Sequence, residues 1–309
     1  VRAVPLPDYP FTPRRIEVRP GITLACLDEG PRDGEVLVLL HGNPSWSYYW
    51  RRLVLALRDR YRVIVPDHIG MGQSDAPDDA ADAAPRYDYT LASRIEDLDA
   101  VLAALDVHGP LSLIVHDWGG MIGLGWAQAA PARIRRLVLT NTATFPLPAS
   151  KPLPPALAFG RNSALAAALI RGANAFAGVA ARVGVAHAMP ADVRRAYLAP
   201  YDSWAHRIAT LRFVQDIPLA DGDRAFALVK TVGDALGQYA DRPILLGWGL
   251  RDFVFDQRIL DVYRRAWPRA EVHAHADAGH YVLEDAHATL VPAIRAFLDR
   301  HPQAPSQEA

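Results

Sequence analysis

Three titratable residues, far apart in the chain, could together perform covalent catalysis. The first is Asp117, in Leu111-Ser112-Leu113-Ile114-Val115-His116-Asp117-Trp118-Gly119-Gly120. An apolar strand, one polar residue on a tight turn among small residues, and then a helix is the pattern that raises a nucleophile on an elbow. A serine at that point attacks acyl carbon, whereas a carboxylate attacks saturated carbon and leaves an alkyl ester on the enzyme. The plain alternative is that Asp117 caps the helix behind it. His280, in Asp277-Ala278-Gly279-His280-Tyr281, can supply the base, and Asp252, in Trp248-Gly249-Leu250-Arg251-Asp252, the acid that orients it. His116 is the rival base, but its place beside the nucleophile should point its ring away along the turn. Each of the three residues follows a predicted strand, at the sheet edge where open α/β sheets gather reactive groups.

The elements that must position them are legible from hydrophobic pattern. Arg15–Arg19 and Ile22–Leu27 flank Pro20-Gly21 and predict an antiparallel hairpin. Glu35–Leu40 is a continuous apolar strand ending in His41-Gly42-Asn43-Pro44, followed by a helix with Trp50, Leu53, Val54 and Leu57 on one face. Arg62–Pro66 is the next strand. After a polar loop at Ala76–Pro85, Thr90–Leu105 is an amphipathic helix with Thr90 as its cap and Ile95, Leu98, Leu102 and Leu105 on its apolar side. Leu111–Val115, the elbow and a helix over Met121–Ala130 follow, then a strand at Ile134–Leu139 that ends near Asn141. The strand pattern stops from about Phe145 to Tyr239 and resumes with Pro243–Trp248, a helix to Trp267, the strand Glu271–His275 and a closing helix Leu290–Leu298. Alternating strands and helices predict a mostly parallel, doubly wound sheet. The break in pattern predicts a core at 1–144 and 240–309 interrupted by a helical cap at 145–239.

Composition limits the partners. Of 309 residues, half are hydrophobic, and 33 Lys and Arg face 34 Asp and Glu, a net charge of −1. Bulk electrostatics therefore do not favour nucleic acid or anionic lipid, although a local basic patch is compatible with that balance. One cysteine, Cys26, excludes an internal disulfide and a multi-cysteine metal site, in keeping with a reducing compartment. Val1–Arg15 has no apolar run of signal-peptide length, and no segment is uncharged and apolar for long enough to span a bilayer. A cytoplasmic setting is the expectation. The nearest candidate span, Ser163–Gly184, is broken by Arg171, Asn174 and Arg182. Gly70-Met71-Gly72-Gln73-Ser74-Asp75 fails the dinucleotide glycine pattern and reads as a turn. Many of the 25 prolines fall at joints, among them Pro44, Pro66, Pro77 and a run from Pro146 to Pro155 that should stiffen the cap entrance.

With these residues in place the chain resembles the α/β-hydrolase superfamily, in which nucleophile, acid and base follow in the order Asp117, Asp252, His280. Within it, His41-Gly42-Asn43-Pro44 and His116-Asp117-Trp118-Gly119-Gly120 resemble the haloalkane dehalogenase-like branch. The resemblance implies that the Asn43 amide and the Trp118 indole N–H hold a departing anion, and that the backbone N–H groups of the same residues stabilise an oxyanion. No cofactor and no metal are implied. Epoxide hydrolases share an aspartate nucleophile but use two cap tyrosines as acids, a role Tyr197 and Tyr201 could imitate. A non-catalytic binding module is the reading from outside enzymology.

A narrower resemblance joins Val36–Arg52, Pro66–Pro77, Pro85–Ser93, Asn141–Pro148, Met189–Pro218 and Trp248–Asp285 to the OleB-type β-lactone decarboxylases of bacterial long-chain olefin biosynthesis. It implies a cis-3,4-dialkyl-oxetan-2-one as substrate, a cis-alkene and CO2 as products, and assembly with other olefin-pathway enzymes. Attack by Asp117 at the ring carbon bearing oxygen, or at the carbonyl to give an anhydride, are both open at this point. Haloalkane hydrolysis through an alkyl-enzyme ester is the alternative reaction. Phe159, Leu165, Leu169, Phe176, Val179 and Phe213 are candidate walls for two alkyl chains, while Arg194, Arg195, Tyr197 and Tyr201 either cover the site or face solvent.

Overall fold

The computed structural model describes residues 6–80 and 82–302. Five residues of the proline-rich N-terminal stretch, Ala81 of the predicted loop and the last seven residues lie outside it. Strands β1 (Arg14–Arg19) and β2 (Ile22–Glu29) form the expected hairpin, and β2 pairs antiparallel with β4 (Arg62–Pro66). The other strands run parallel: β3 (Val36–Leu40), β5 (Leu111–His116), β6 (Ile134–Thr140), β7 (Ile244–Gly249) and β8 (Glu271–His275). The eight-stranded order is β1-β2-β4-β3-β5-β6-β7-β8. Chain direction across the sheet reverses between β3 and β5, and a crevice opens at the carboxyl ends of such a pair.

β4, β5 and β7 are buried along their whole length, which is why their sequences run apolar without alternation: helices cover both faces. On the core these helices are α1 (Arg51–Leu57), α2 (Leu91–Ala104) and α3 (Trp118–Ala127). Thr90 caps α2 as expected, its hydroxyl accepting from the Ser93 N–H at 3.2 Å. α3 starts directly behind Asp117, three residues before the predicted start. Gly119 and Gly120 are therefore helix residues rather than turn residues. A Cβ on Gly119 would fall 2.1 Å from the Leu40 carbonyl oxygen, and one on Gly120 2.1 Å from Thr142 Oγ1. The two glycines let α3 lie against the ends of β3 and β6.

Among the described residues no strand occurs between β6 and β7. That stretch holds α4 (Pro155–Asn162), α5 (Ala164–Ala173), α6 (Ala175–Val183), α7 (Ala191–Leu198), α8 (Ile208–Gln215) and α9 (Phe226–Asp234). The chain closes with α10 (Gln257–Ala266), the short α11 (Val282–Asp285) and α12 (His287–Arg300), which begins three residues before its predicted start.

Candidate active site

Asp117 sits at the tip of the turn from β5 to α3 with φ at 51°, a left-handed conformation that is strained for a side chain bearing Cβ. Neighbouring strands hold it there. Its N–H donates to the Asn141 carbonyl at 3.0 Å, and its carbonyl accepts from Thr142 Oγ1 and from the Gly120 N–H. The carboxylate makes no helix-capping bond, which sets aside the plain alternative. Instead Oδ1 accepts from the Asn43 N–H at 2.7 Å, with the Trp118 N–H also directed at the carboxylate. Gly42 makes this approach possible, since a Cβ there would lie 1.9 Å from Oδ1.

The loop after β8 brings His280 to the same edge. Its Nδ1 donates to Asp252 Oδ2 at 2.8 Å, leaving Nε2 3.7 Å from Asp117 Oδ2. The structure thus joins all three sequence candidates in one chain of contacts. Burial raises the Asp117 carboxyl above its usual range, while His280 and the two backbone N–H groups pull it back. Burial acts to lower His280, but the Asp252 and Asp117 carboxylates outweigh it and leave the imidazole above its ordinary value. His116 does point away: Nδ1 donates to the Thr140 carbonyl at 3.0 Å and the ring stacks on Tyr49. Burial and the nearby His280 hold it well below the ordinary histidine range, so it stays neutral.

Three supporting residues carry roles that the sequence did not disclose. Asn141 donates to Asp252 Oδ2 and to the Gly249 carbonyl, each at 3.0 Å, and accepts from the Gly249 N–H at 2.8 Å. It fixes the Asp252 carboxylate and the end of β7 together. Asp285 accepts from the Gly279 N–H at 2.8 Å, beside His280, and from Ala186 and His187 in the loop between α6 and α7. The adjacent Glu284 accepts from Arg51 on α1 and from the Tyr197 hydroxyl on α7. A polar residue closing a strand beside the elbow was the available signal for Asn141. Nothing local marks the Glu284-Asp285 pair.

Asn43 and Trp118 line the same cavity as Asp117. One amide N–H of Asn43 donates to the Thr210 carbonyl on α8 at 3.0 Å, so α8 orients this side chain. Its second N–H and the Trp118 indole N–H, which has no hydrogen-bond partner among the described residues, are left for an anion. The cavity encloses about 610 Å³. Apart from Asn43, Asp117, Trp118 and His280, its lining side chains are apolar, and Phe159, Leu169, Phe176 and Val179 are among them as expected. Two other candidates are not. Leu165 faces outward, and Phe213 is fully buried against Trp118 at 5.2 Å and beneath the Arg94 guanidinium. The rotation of α5 and α8 about their axes decides this, and both helices have more than one apolar side.

The polar candidates of the helical stretch between β6 and β7 do not cover Asp117. Tyr197 is tied to Glu284 and stacked on Tyr281, and the Tyr201 hydroxyl donates to the Ser45 carbonyl at 3.3 Å. Neither tyrosine lines the cavity, nor do Arg194 and Arg195. The acid pair that epoxide opening would use is therefore missing from the site.

A family model described as the alpha/beta hydrolase fold matches residues 35–287. The chain is 60% identical to a cis-3-alkyl-4-alkyloxetan-2-one decarboxylase of Xanthomonas campestris, over 96% of this chain and 99% of that protein. It is 52% identical to a protein of the same name from Shewanella oneidensis, over 91% and 86% of the two chains. A haloalkane dehalogenase of Mycolicibacterium paratuberculosis is 32% identical over 91% of this chain and 90% of its own length. Among solved structures, a haloalkane dehalogenase of Agrobacterium tumefaciens superposes with a TM-score of 0.81 at 26% identity, covering 94% of this chain and 97% of that one.

Proposed function

The chain belongs to the α/β-hydrolase fold family, and within that family we propose that it decarboxylates cis-3,4-dialkyl-oxetan-2-ones to a cis-alkene and CO2. The observation that carries the reading is 60% identity, nearly end to end, to a protein named for that decarboxylation. A carboxylate nucleophile beneath two neutral donors, facing a hydrocarbon cavity, supports it.

Asp117 Oδ attacks the ring carbon that bears the ring oxygen. The carbon–oxygen bond breaks, its electron pair stays on the oxygen, and the carboxylate so released is held by the Asn43 amide and the Trp118 indole. Neutral donors in a dry pocket stabilise an anion while it forms and let it go when it fragments. The bond between that carboxylate and its α-carbon then breaks. Its electrons become the second bond of the alkene, and the ester oxygen leaves as the Asp117 carboxylate. One lactone gives one alkene and one CO2, with no water consumed and the nucleophile restored. Inversion at the attacked carbon followed by anti fragmentation carries a cis ring into a cis alkene. The adjacent His280, charged, supports the Asp117 carboxylate as it leaves.

A cytoplasmic setting and association with other enzymes of olefin biosynthesis belong to the same proposal. Incubation with a synthetic cis-dialkyl β-lactone, followed by gas chromatography, should detect the cis-alkene in molar balance with CO2. Halide release from 1-haloalkanes with no alkene from the lactone would reassign the enzyme to haloalkane hydrolysis.

A further inference from the structure

Five of the ten exposed large apolar side chains among the described residues lie on three consecutive helices. Leu165, Val179, Val183, Phe159 and Leu169 all project from α4–α6, with Leu165 63% and Val179 55% exposed. Phe253, from the loop after β7, adds a further exposed ring. Scattered apolar residues on a surface need no explanation, but a contiguous set does. This set is also continuous with the interior, because Phe159, Leu169, Val179, Val183 and Phe253 line the cavity as well. The mouth of the cavity is a hydrocarbon rim.

The α4–α6 stretch itself carries charge of one sign. From Trp118 to Ala191 the chain contains no Asp or Glu, and α4–α6 carry Arg161, Arg171 and Arg182. Arg161 is paired with Asp223, but Arg182 donates only to the Gly178 carbonyl of its own helix. Arg171 lies over the exposed Trp204 ring, 4.6 Å from its centroid, donates to the Trp204 carbonyl and has Asp78 and Asp79 as acidic neighbours. Arg182 is therefore the cation of this stretch left without an acidic partner among the described residues. Apolar side chains flanked by arginines and an exposed indole are what an anionic lipid interface favours. The near-zero net charge of the whole chain conceals this local imbalance. α5 and α6 have ten and nine residues and meet at an 80° bend, so each spans roughly 15 Å, about half a bilayer's hydrocarbon thickness. Such helices lie on a membrane rather than across it.

We propose that α4–α6 and Phe253 dock the enzyme on an anionic lipid surface with the cavity mouth toward the acyl chains. A dialkyl lactone then enters from hydrocarbon, and the alkene returns to it, without crossing water. The lactone as cargo rests on the function proposed above; the docking itself does not, because vesicle binding is read without substrate.

The test is flotation of the full chain with vesicles of phosphatidylethanolamine and phosphatidylglycerol, against vesicles of phosphatidylcholine alone. The variant L165E/R182E changes two exposed residues outside the cavity lining, and turnover of a short-chain β-lactone dissolved in buffer checks that it folds. The expected result is at least a tenfold preference for anionic vesicles, reduced at least tenfold in the variant and weakened by high salt, with buffer turnover unchanged. Equal flotation of both proteins, or none by the wild type, overturns the proposal. So does a dimer in sedimentation velocity that L165E/R182E dissociates, which would assign the face to a second copy.

Discussion

At the sheet edge every reactive side chain is held by hydrogen bonds from its neighbours, whereas across the same cavity the cap presents Phe159, Leu169, Ile170, Phe176 and Val179 with no polar partner of any kind. The first wall fixes atoms: Asp117 by Asn43 and Trp118, His280 by Asp252, and Asp252 in turn by Asn141 and the Val254 N–H. The second wall fixes shape and dryness, and its one polar contribution to the site is the Thr210 carbonyl that orients Asn43. The difference teaches a division of labour in which chemistry depends on distances of a few tenths of an ångström, and chain recognition on area and volume. Substitutions in the two walls should therefore fail in different ways.

The largest effect is expected at the nucleophile. Asp117→Asn should lower alkene formation by at least ~10⁴-fold while the protein stays folded, measured by chromatography of the alkene. Normal turnover would remove the sheet edge from the chemistry altogether. Asp252→Asn sharpens the comparison by separating two uses of His280. Hydrolysis of a haloalkane needs His280 as a base toward water, and losing its orienting acid should cost about 10⁴-fold. Lactone decarboxylation consumes no water, so its rate should fall only about tenfold. A loss of equal size in both assays would show that His280 transfers a proton during decarboxylation.

The pH profiles follow the same separation. Asp117 must be ionised to attack, and its carboxyl is raised by burial, so alkene formation is lost as pH falls through a value above the ordinary 3.8. His280 is raised above its ordinary 6.5 and must be neutral to act as a base, so haloalkane hydrolysis should already decline at a pH above 6.5. Between these limits the lactone should turn over while the haloalkane does not. Coincident acid limbs would contradict the assignment of roles.

Asp285 forms one of the seams that join the two walls, and a smaller effect is expected there. Asp285 takes the Gly279 N–H from the histidine loop and the Ala186 and His187 N–H groups from the cap. Asp285→Ala leaves three donors without their acceptor and should cost about 3 kcal/mol of unfolding free energy in denaturant titration. It should also lower kcat for lactone about tenfold by loosening His280. Unchanged stability would mean that the cap and the catalytic loop are fastened elsewhere, through Glu284 or the Tyr281 to Gly184 backbone bond.

The sheet edge was largely legible in the sequence, and the presence of the helical stretch was too, but the facing of its helices was not, for a physical reason. Short apolar runs such as Leu111–Val115 and Ile244–Leu246, bounded by turns and alternating with helices, read as strands buried on both faces, and the polar residue that follows each one then stands at the sheet's rim. Asp117, Asp252 and Asn43 are legible in that way because strand, turn and side chain are neighbours in the chain. His280 follows the less apolar edge strand Glu271–His275, and its histidine-bearing motif marks it. The cap has no such local code. α5 reads Ala-Leu-Ala-Ala-Ala-Leu-Ile-Arg-Gly-Ala, and either side of it could be the buried one. Packing turns Ala166 and Ile170 inward and Leu165 outward, and the same kind of choice places Phe213 beneath Trp118 rather than on the cavity wall. Arg51, Glu284, Tyr197 and Asp285 meet from segments more than 80 residues apart, which no spacing rule anticipates.

The smallest effect tests the hydrocarbon wall itself. Phe176 lines the cavity from α6 and makes none of the polar contacts that position Asp117 or His280. Its removal takes away apolar area that a bound alkyl chain would cover, and such area favours ground state and transition state alike. Phe176→Ala should therefore raise KM for a long-chain lactone about tenfold with kcat unchanged, within the range of about 1–3 kcal/mol that a pocket methylene can discriminate. A lactone with chains too short to reach α6 should show neither change. Matched steady-state kinetics on the two substrates read this directly. A fall in kcat with both lactones would mean that Phe176 helps place the reacting carbon over Asp117, and the division between a wall that fixes atoms and a wall that fixes shape would then no longer hold.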